Sequence, residues 1–492
     1  MTDTTLSTAL RSSATLKNGL FILLFLSVLA IGPTMLNTDG DLPRHLLMGK
    51  YVLETGAPPT QEVFAYPYEG RVYIPHEWLA GVIFYLLYIL LGLNADVILA
   101  GVLLASTFTL IYAQASKQNT QPLFTFLLVL LGAVVTSIHW VVRPHLFSMI
   151  FLVIWVIWME RLVGAEPLKF WWFPALMLIW ANTHAESIAG FLVLFAYIGG
   201  WFWQFFFGAS KPSSATGKSL AIVTGLSFGA SLINPTGIQA WASVTSYINN
   251  SYLMSRIVET RPPDFTQTNS LPLLLLLLLS AFLIVKQRKN FTPAHIFLMG
   301  GFGLMSLTSS RNAHLFGVVA PLILSVGLKE IGPIRPINNI ETMVSRFSTL
   351  IGLKIVPTAS VLIFSIILLN SPLKNSNRFD PSIFPVDAVE WLKSNPPSGR
   401  MFNEFDWGGY ILLHLWPQHQ VFIESQADTK GELTKKYEQV VTLQENWREV
   451  FNEYEIDWVI VSVKSPLAVE LKSDSGWATV YQDTVAGIYI RK

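Results

Sequence analysis

The stretch Thr38-Asp39-Gly40-Asp41-Leu42-Pro43-Arg44-His45 decides how this chain folds, because it directly follows the apolar run of residues 19–36. A bilayer span needs about 17 to 25 mostly apolar residues, and this run is long enough. Two carboxylates and an imidazole therefore stand at a membrane face. Because ionisable groups near hydrocarbon are costly to keep, such a cluster predicts a functional site. The alternative is a solvated loop that caps the next helix.

The composition indicates an integral membrane protein. Of the 492 residues, 52% are hydrophobic and 13% are charged, whereas a soluble domain carries roughly 25% charged residues. The formal net charge of +1 argues against a nucleic-acid partner, which would require a basic surface. The sequence contains no cysteine, which excludes disulfides, thiolate metal sites and thiol nucleophiles.

Apolar runs recur along the chain as candidate membrane spans. They cover residues 18–36, 76–93, 96–114, 122–140, 145–160, 170–182, 186–207, 218–234, 270–286, 293–309, 312–328 and 350–370. Cytoplasmic loops carry an excess of Lys and Arg, and Lys286-Gln287-Arg288-Lys289 is the strongest such marker. Asp39 and the tail then fall outside and Lys117 inside, so an odd number of crossings must separate Asp39 from Lys117. We therefore predict about eleven crossings, with residues 76–93 lying along the interface or re-entering.

Most of the unusual polar residues fall on the extracytoplasmic side in this orientation. They are Asp39, Asp41, His45, His76, Glu77, His139, Arg143, His145, Asn182, His184, Glu186, Asn234, Arg261, Arg311 and His314. Histidine often serves in metal binding and proton transfer near neutral pH. This one-sided clustering predicts a single site at the outer leaflet.

Asp39 and Asp41 form a D-x-D pair whose carboxylates can reach one cation or one acceptor hydroxyl. His45 follows Asp41 by four residues, so a helix that begins near Leu42 places both on one face. The helical character ends at Gly56. The N-terminal dipole of such a helix favours ionised aspartates, which suits a catalytic base or a metal ligand.

Further candidate residues lie at the outer ends of other spans. Arg143 can hold a phosphate through a charge-assisted fork; the alternative is an arginine that snorkels at a helix end. His184 and Glu186 can complete a site for a divalent cation, Mg²⁺ or Mn²⁺, or for a phosphate; the alternative is a pair of helix caps. Arg311 can make a second phosphate contact or cap a helix. The remaining candidate substrate-binding residues are His45, His76, Glu77 and His145.

From about residue 380 the composition becomes that of a soluble protein. Helices are predicted at 386–394, 408–415, 432–454 and 467–473, and strands at 400–403, 420–424, 457–463, 478–482 and 486–490. This alternation predicts a membrane domain of residues 1–370 and a soluble extracytoplasmic α/β domain of residues 380–492 with a mainly parallel sheet.

Two loop regions are candidate ligand sites. Asp406-Trp407-Gly408-Gly409-Tyr410 and Glu424-Ser425-Gln426 each follow a predicted strand, where α/β folds place ligands; the alternative is a tight turn that glycine permits. The long polar loop of residues 249–269 can order over a bound substrate as a lid.

These features resemble the GT-C superfamily of integral-membrane glycosyltransferases, which includes oligosaccharyltransferase catalytic subunits, protein O-mannosyltransferases and aminoarabinose transferases. The resemblance rests on Asp39 and Asp41 in a long first outer loop (residues 37–95), a juxtamembrane helix after Leu42, many further spans and an outer α/β tail. Residues 39–91 and 384–491 also look like bacterial members of the superfamily without an assigned substrate. The resemblance implies that Asp39 or Asp41 is the catalytic base or a metal ligand.

This chain departs from the superfamily at two motifs. The second acidic motif of the superfamily falls near residues 143–148, where this chain has Arg143-Pro144-His145-Leu146-Phe147-Ser148. Asp406-Trp407-Gly408-Gly409-Tyr410 is similar to the Trp-Trp-Asp-Tyr-Gly signature of oligosaccharyltransferases, but in an altered order, so no peptide specificity follows.

The sequence therefore predicts an inverting glycosyltransferase in a bacterial-type inner membrane. It would transfer a sugar from a polyprenyl-phosphate donor to an acceptor at the outer leaflet, with an aspartate as base. The alternative is a non-catalytic scaffold or assembly subunit whose tail binds a partner protein.

Overall fold

The computed structural model of the protein describes residues 3–117, 121–164, 166, 168–330, 363, 367, 377–426, 430–444 and 446–492. Its first part is a helical bundle. The helices are α1 (Asp3–Ala30), α2 (Gly32–Asn37), α3 (Asp41–Thr55), α4 (Trp78–Leu91), α5 (Leu93–Ala115), α6 (Pro122–Thr136), α7 (His145–Val163), α8 (Trp172–Thr183), α9 (Ile188–Phe207), α10 (Ser214–Ser231), α11 (Gln239–Asn249), α12 (Ser251–Arg256), α13 (Leu271–Lys286), α14 (Pro293–Thr308) and α15 (Ala313–Leu324).

The apolar runs predicted as spans up to residue 328 all form helices. Six segments of the described chain are long and apolar enough to cross a bilayer: Leu93–Ala115, Pro122–His139, His145–Val163, Ala185–Phe207, Thr268–Lys286 and Ser310–Leu328. Shorter apolar helices accompany them at Thr15–Ala30, Trp78–Leu91 and Pro293–Thr308. The chain is thus a multi-pass α-helical membrane protein. The predicted span 350–370 lies almost entirely outside the described residues, so the count of eleven crossings stays a prediction.

Helix α4, in the run predicted to lie at the interface, has 14 residues. At 1.5 Å per residue it is about 21 Å long, shorter than the roughly 30 Å of a hydrocarbon core. It packs against α3 and α5. This length agrees with the predicted interfacial or re-entrant placement, which remains a prediction.

Helices α3 and α4 cross closely through two glycines. A methyl group on Gly49 would come within 2.1 Å of the Gly81 carbonyl oxygen, and one on Gly81 within 2.7 Å of the His45 carbonyl oxygen. The missing side chains therefore let the two backbones touch. This contact fixes the start of α3, which carries Asp41 and His45, beside Glu77 at the start of α4.

The tail from Asn377 onward combines helices with a small sheet. Its helices are α16 (Val386–Ser394), α17 (Gly408–Leu415), α18 (Gly431–Val441), α19 (Trp447–Glu453) and α20 (Pro466–Ser473), and its strands are β1 (Arg400–Asn403), β2 (Ile456–Ser462), β3 (Trp477–Gln482) and β4 (Ala486–Arg491). The strand order is β1-β2-β4-β3. A small α/β tail is therefore confirmed.

Three details of the predicted tail are wrong. Only β1 and β2 run parallel, while β4 is antiparallel to both β2 and β3, so the sheet is mainly antiparallel. Residues 420–424 form no strand of this sheet; Val421 instead bridges to Ala65 of the first loop. The predicted helix 432–454 is divided into α18 and α19.

The two faces of strand β2 pack against different partners, because side chains alternate along a strand. Trp458 and Ile460 join the hydrophobic core that continues into the helical bundle. Val459 and Val461 face a second core formed within the tail. The sheet is thus covered on both sides, and the tail is continuous with the bundle at the end that carries Asp39.

Candidate active site

The two aspartates of the first loop share one arginine. Arg143 Nη2 lies 2.7 Å from Asp39 Oδ2 and 2.8 Å from Asp41 Oδ2. Arg143 belongs to the connection between α6 and α7, where Pro144 precedes the first residue of α7. The Asp41 backbone amide donates to Asp39 Oδ1 at 3.0 Å. The sequence predicted that Arg143 contacts a phosphate. It did not predict the ion pairs that Arg143 forms with both aspartates.

The two carboxyl groups differ in acidity because their surroundings differ. Burial raises the pKa of Asp39, and Arg143 offsets only part of this shift. Burial alone would also raise the pKa of Asp41, but Arg143 and Arg44 outweigh it and lower the pKa. The two aspartates thus differ in acidity, and the prediction that the α3 dipole keeps both of them ionised stays a prediction.

Arg44 lies between Asp41 and two glutamates, Glu77 at the start of α4 and Glu424 of the tail. Its Nη2 lies 2.8 Å from Glu77 Oε2, and its Nε lies 3.9 Å from Glu424 Oε2 of the tail. His45 Nδ1 lies 3.5 Å from the same Glu77 oxygen. Burial lowers the pKa of His45 to about 4, so this imidazole is neutral at pH 7.

A second cluster continues from Glu77 into the bundle. His184 Nε2 lies 3.4 Å from Glu77 Oε1, and His184 Nδ1 lies 3.4 Å from Glu186 Oε2. Glu186 Oε1 lies 3.0 Å from His314 Nε2. Ser148 Oγ is 2.9 Å from His184 Nδ1. The predicted pair His184 and Glu186 is therefore in the same polar network as Arg44 and the first loop.

Two more histidines complete this cluster. His145 Nε2 is 2.7 Å from the carbonyl oxygen of His139. The ring of His314 lies 5.1 Å from that of His139 and 5.7 Å from that of His145, measured between centroids. His145 is also 6.4 Å from the ring of His184. Histidines from four helix ends thus meet in one place, while its location at the outer leaflet stays a prediction.

The remaining candidate residues hold the segment that precedes α13. His76 Nε2 lies 3.2 Å from Ser243 Oγ on α11. Arg311 Nη1 donates to the Tyr247 hydroxyl at 2.8 Å. Neither of these two hydrogen bonds involves Asp39 or Asp41.

The loop predicted as a lid contains α12 and contacts the tail. The Tyr252 hydroxyl donates to Glu438, and Arg256 Nε lies 3.2 Å from Glu438 Oε2. On the bundle side, the Ser310 amide donates to the Arg261 carbonyl at 2.8 Å. The loop therefore joins bundle and tail, while a lid function stays a prediction.

The tail motif that begins at Asp406 packs directly on the first loop. A methyl group on Gly40 would come within 2.2 Å of the Asp406 carbonyl oxygen, and one on Gly409 within 2.9 Å of the Arg44 amide nitrogen. Asp406 is exposed, yet partial burial and the nearby carboxylates Glu404, Asp41 and Asp39 raise its pKa to about 6. The candidate ligand motif of the tail thus faces the D-x-D pair.

A buried lysine joins the other tail motif to the first loop. Lys430 Nζ lies 2.7 Å from Glu62 Oε2 and also binds Glu424, and all three side chains are almost completely buried. Glu62 Oε1 accepts hydrogen bonds from the Phe64 and Ala65 amides at 2.8 and 2.9 Å. Glu424 is thereby held where it can approach Arg44.

Carboxylates and imidazoles are the side chains here that could bind a divalent cation. Within the described parts of the chain, no three or more His, Asp or Glu side chains are arranged to hold a metal ion. Asp39 and Asp41 point their oxygens at Arg143 instead. In this structure both carboxylates of the D-x-D pair thus bind an arginine, and the predicted use of Mg²⁺ or Mn²⁺ stays a prediction.

The sequence missed the parts played by Arg44, Asp406 and Lys430. Arg44 stood inside the first quoted stretch, and Asp406 opened a motif noted for its position after a strand. Lys430 gave no signal, because a single lysine in a polar segment is indistinguishable from a solvated one until its burial is known.

The fold is similar to those of solved structures that share little sequence identity with this chain, and the superfamily resemblance found in the sequence stays a prediction. The archaeal oligosaccharyltransferase AglB from Archaeoglobus fulgidus, solved with an inhibitory peptide and a dolichol-phosphate, aligns with a TM-score of 0.58 and 10% identity over 96% of this chain and 74% of that chain. ArnT from Cupriavidus metallidurans, solved bound to undecaprenyl phosphate, aligns with a TM-score of 0.53 and 15% identity over 96% of this chain and 97% of that chain. No protein-family model matches the sequence, and no curated protein matches it.

Proposed function

We propose that the protein is a glycosyltransferase that moves a sugar from a polyprenyl-phosphate donor to an acceptor at the extracytoplasmic leaflet. The observation that carries this proposal is the convergence of Asp39 and Asp41 with Arg143 at one end of an apolar bundle, under the tail. Ionisable groups kept at such a position mark a functional site. Solved relatives in fold hold dolichol-phosphate or undecaprenyl phosphate, which supports a lipid-phosphate donor.

The proposed reaction inverts the configuration of the sugar. An aspartate of the first loop takes the proton of the acceptor hydroxyl, and the hydroxyl oxygen bonds to the anomeric carbon as the carbon–phosphate oxygen bond breaks. The polyprenyl phosphate leaves with the electron pair. Asp39 suits the base better than Asp41, because its pKa is raised whereas that of Asp41 is lowered, and a base works best when its pKa is near the working pH.

Positive charge is available where the leaving phosphate requires it. Arg143 and Arg44 flank the aspartates, and donors aimed at developing charge are commonly the largest contribution to catalysis. In this proposal Glu77, His184 and Glu186 position Arg44, and Arg311 adds positive charge for the departing phosphate. In this proposal the acceptor approaches beside Asp406 of the tail, which is close enough to Asp39 and Asp41 for their charges to influence it.

The test uses proteoliposomes supplied with a panel of polyprenyl-phosphate sugars and an outer-envelope extract as acceptor. Asp39→Asn and Asp41→Asn should each lower transfer by about 100-fold or more, in the range of a lost general base, while the thermal unfolding temperature stays close to that of the parent. Asp387→Asn, on the exposed surface of α16, is the matched control and should transfer normally. Normal transfer by both site variants would remove the enzymatic assignment and favour the scaffold alternative.

A further inference from the structure

We propose that Arg143 is a built-in cation of the Asp39–Asp41 pair, so that this pair works on a phosphate without a divalent metal ion. The inference rests on the proposed function only in taking the phosphate to belong to a lipid. Its first consequence, the exclusion of a metal ion by Arg143, can be measured without any transfer reaction.

The position of one atom carries the argument. Arg143 Nη2 is nearly equidistant from Asp39 Oδ2 and Asp41 Oδ2, at 2.7 and 2.8 Å. A Mg²⁺ ion that bridged these oxygens would lie about 2.0–2.1 Å from each, in the volume that this nitrogen fills. The guanidinium cannot lose its proton in a protein. A metal ion could therefore enter only by displacing Arg143.

Displacement is opposed by charge and by burial. The side chain of Arg143 is 20% exposed, and those of Asp39 and Asp41 are 28% and 19% exposed. Ion pairs that are partly withdrawn from water are screened less than exposed ones. Arg44 adds a second positive charge close to Asp41. A divalent ion would meet both arginines, so the net attraction of the pair for a metal is small.

The guanidinium of Arg143 has a further N–H group that can bind a ligand. Its Nε is buried and has no hydrogen-bond partner among the described residues. Buried N–H groups are nearly always hydrogen-bonded, so an acceptor is expected there, and a phosphate oxygen supplies one in a geometry that guanidinium favours. Arg143 thus couples the carboxylates to a phosphate, which is the part that a metal ion would otherwise play.

The first experiment titrates Mn²⁺ into the full chain in lipid nanodiscs and follows free Mn²⁺ by electron paramagnetic resonance. The parent should show no binding that depends on Asp39 and Asp41. Arg143→Ala frees both carboxylates and should gain one Mn²⁺ site, which the added changes Asp39→Asn and Asp41→Asn should abolish. Arg491→Ala, whose guanidinium donates a hydrogen bond to Asn452 in the tail, is the control and should behave as the parent.

Several outcomes would overturn the inference. If the parent binds Mn²⁺ and the variant with both Asp39→Asn and Asp41→Asn does not, the aspartates bind a metal ion despite Arg143. If Arg143→Ala folds but gains no Mn²⁺ site, Arg143 Nη2 does not occupy a position that a metal ion could take. If Arg143→Ala does not fold, Arg143→Lys keeps the charge and should exclude Mn²⁺; Mn²⁺ binding by that variant contradicts the inference.

The second experiment measures binding of undecaprenyl phosphate, with inorganic phosphate as competitor. The parent should bind the lipid equally in EDTA and in Mn²⁺, and Arg143→Ala should weaken binding at least about tenfold, as expected for a lost charged hydrogen bond. Competition at low inorganic phosphate concentration would assign the site to free phosphate instead of a lipid. Lipid binding that requires Mn²⁺ overturns the inference, whereas failure of the parent to bind either phosphate removes the proposed function and leaves the Mn²⁺ result intact.

Discussion

Carboxyl groups of the same chemical type have different acidities in this site because their neighbours differ. Asp41 lies between Arg143 and Arg44, and its pKa is lowered despite burial. Asp406 approaches the same place from the tail without an arginine of its own, and its pKa rises to about 6. The site therefore combines a carboxylate that stays ionised with one that can exchange a proton near neutral pH.

The raised pKa of Asp406 predicts a pH-dependent loss of stability. Between the usual value of 3.8 and about 6, the folded protein retains a proton that the unfolded chain has released, so this residue's contribution falls as the pH rises through that window. Asp406→Asn should remove the dependence. The difference in unfolding temperature, variant minus parent, should therefore become more positive from pH 4 to pH 7.

The expected effect is small, below about 1 kcal/mol, because Asp406 is exposed and solvent screens its charge. Tryptophan fluorescence during heating, recorded for the protein in nanodiscs at several pH values, measures it. Asp387→Asn, on the exposed surface of α16, is the matched control for the loss of a carboxyl group. A difference for Asp406→Asn that does not exceed that of the control at any pH would show that the tail does not hold this carboxyl near the others.

The residues that sequence patterns identify are those whose type is unusual for their position. Histidines and carboxylates next to apolar runs stand out. The structure pairs Asp39 with Arg143 and joins Glu77, His184 and Glu186 in one network. Their pairing could not be predicted, because the rotation of each helix decides which side chain meets which. For this reason the sequence predicted a phosphate contact for Arg143 but not its ion pairs with the aspartates.

At the scale of helices, the crossing of α3 and α4 controls the geometry of the site. Gly49→Ala would place a methyl group within 2.1 Å of the Gly81 carbonyl, which forces the helices apart and separates Arg44 from Glu77. Overpacking of this kind typically costs about 1–3 kcal/mol. We expect a lower unfolding temperature together with weaker binding of undecaprenyl phosphate.

Gly225→Ala on α10 is the matched control, since nothing lies within 4 Å of the added methyl group. An alanine in an open helical position should leave stability unchanged or raise it by up to about 1 kcal/mol. Isothermal titration and thermal unfolding of both variants provide the comparison. Equal behaviour of the two would show that the crossing does not support the site.

Elements were predictable where one physical signal dominates. Hydropathy identified the helices because hydrocarbon demands long apolar segments, and alternation identified β1 to β4. The prediction of a mainly parallel sheet was wrong because alternating helices and strands suggested crossover connections. Instead, β3 and β4 form an antiparallel pair joined by Asp483–Val485. Residues 420–424 have strand-like composition but pair with the first loop at Ala65, a contact between distant segments that no local pattern contains.

At the scale of the whole molecule, the tail and the first loop form one unit through Lys430, Glu62 and Glu424. Removing a single partner from a buried ion pair commonly costs about 3–5 kcal/mol, because the remaining charge is left without compensation. Lys430→Met should therefore loosen the tail and speed its cleavage in limited proteolysis. Lys436→Met removes a more exposed pair with Glu453 and should leave the cleavage rate unchanged.

The double variant Lys430→Met with Glu424→Gln separates charge from packing. It deletes one of the two uncompensated carboxylates, so it should recover part of the protection lost in Lys430→Met. Cleavage as fast as in Lys430→Met would show that the ion pair does not hold the tail against the first loop.

The orientation of the molecule in the membrane connects site, donor and tail, and it remains a prediction from the Lys/Arg bias of the loops. Because the sequence contains no cysteine, each introduced cysteine is unique. Ser473→Cys on the exposed end of α20 and Lys289→Cys in the exposed turn after α13 mark the two sides. In intact cells, a membrane-impermeant maleimide should label Ser473→Cys at once and Lys289→Cys only after permeabilisation. The reverse order would place Asp39 and Arg143 in the cytosol, where a donor presented at the outer leaflet could not reach them.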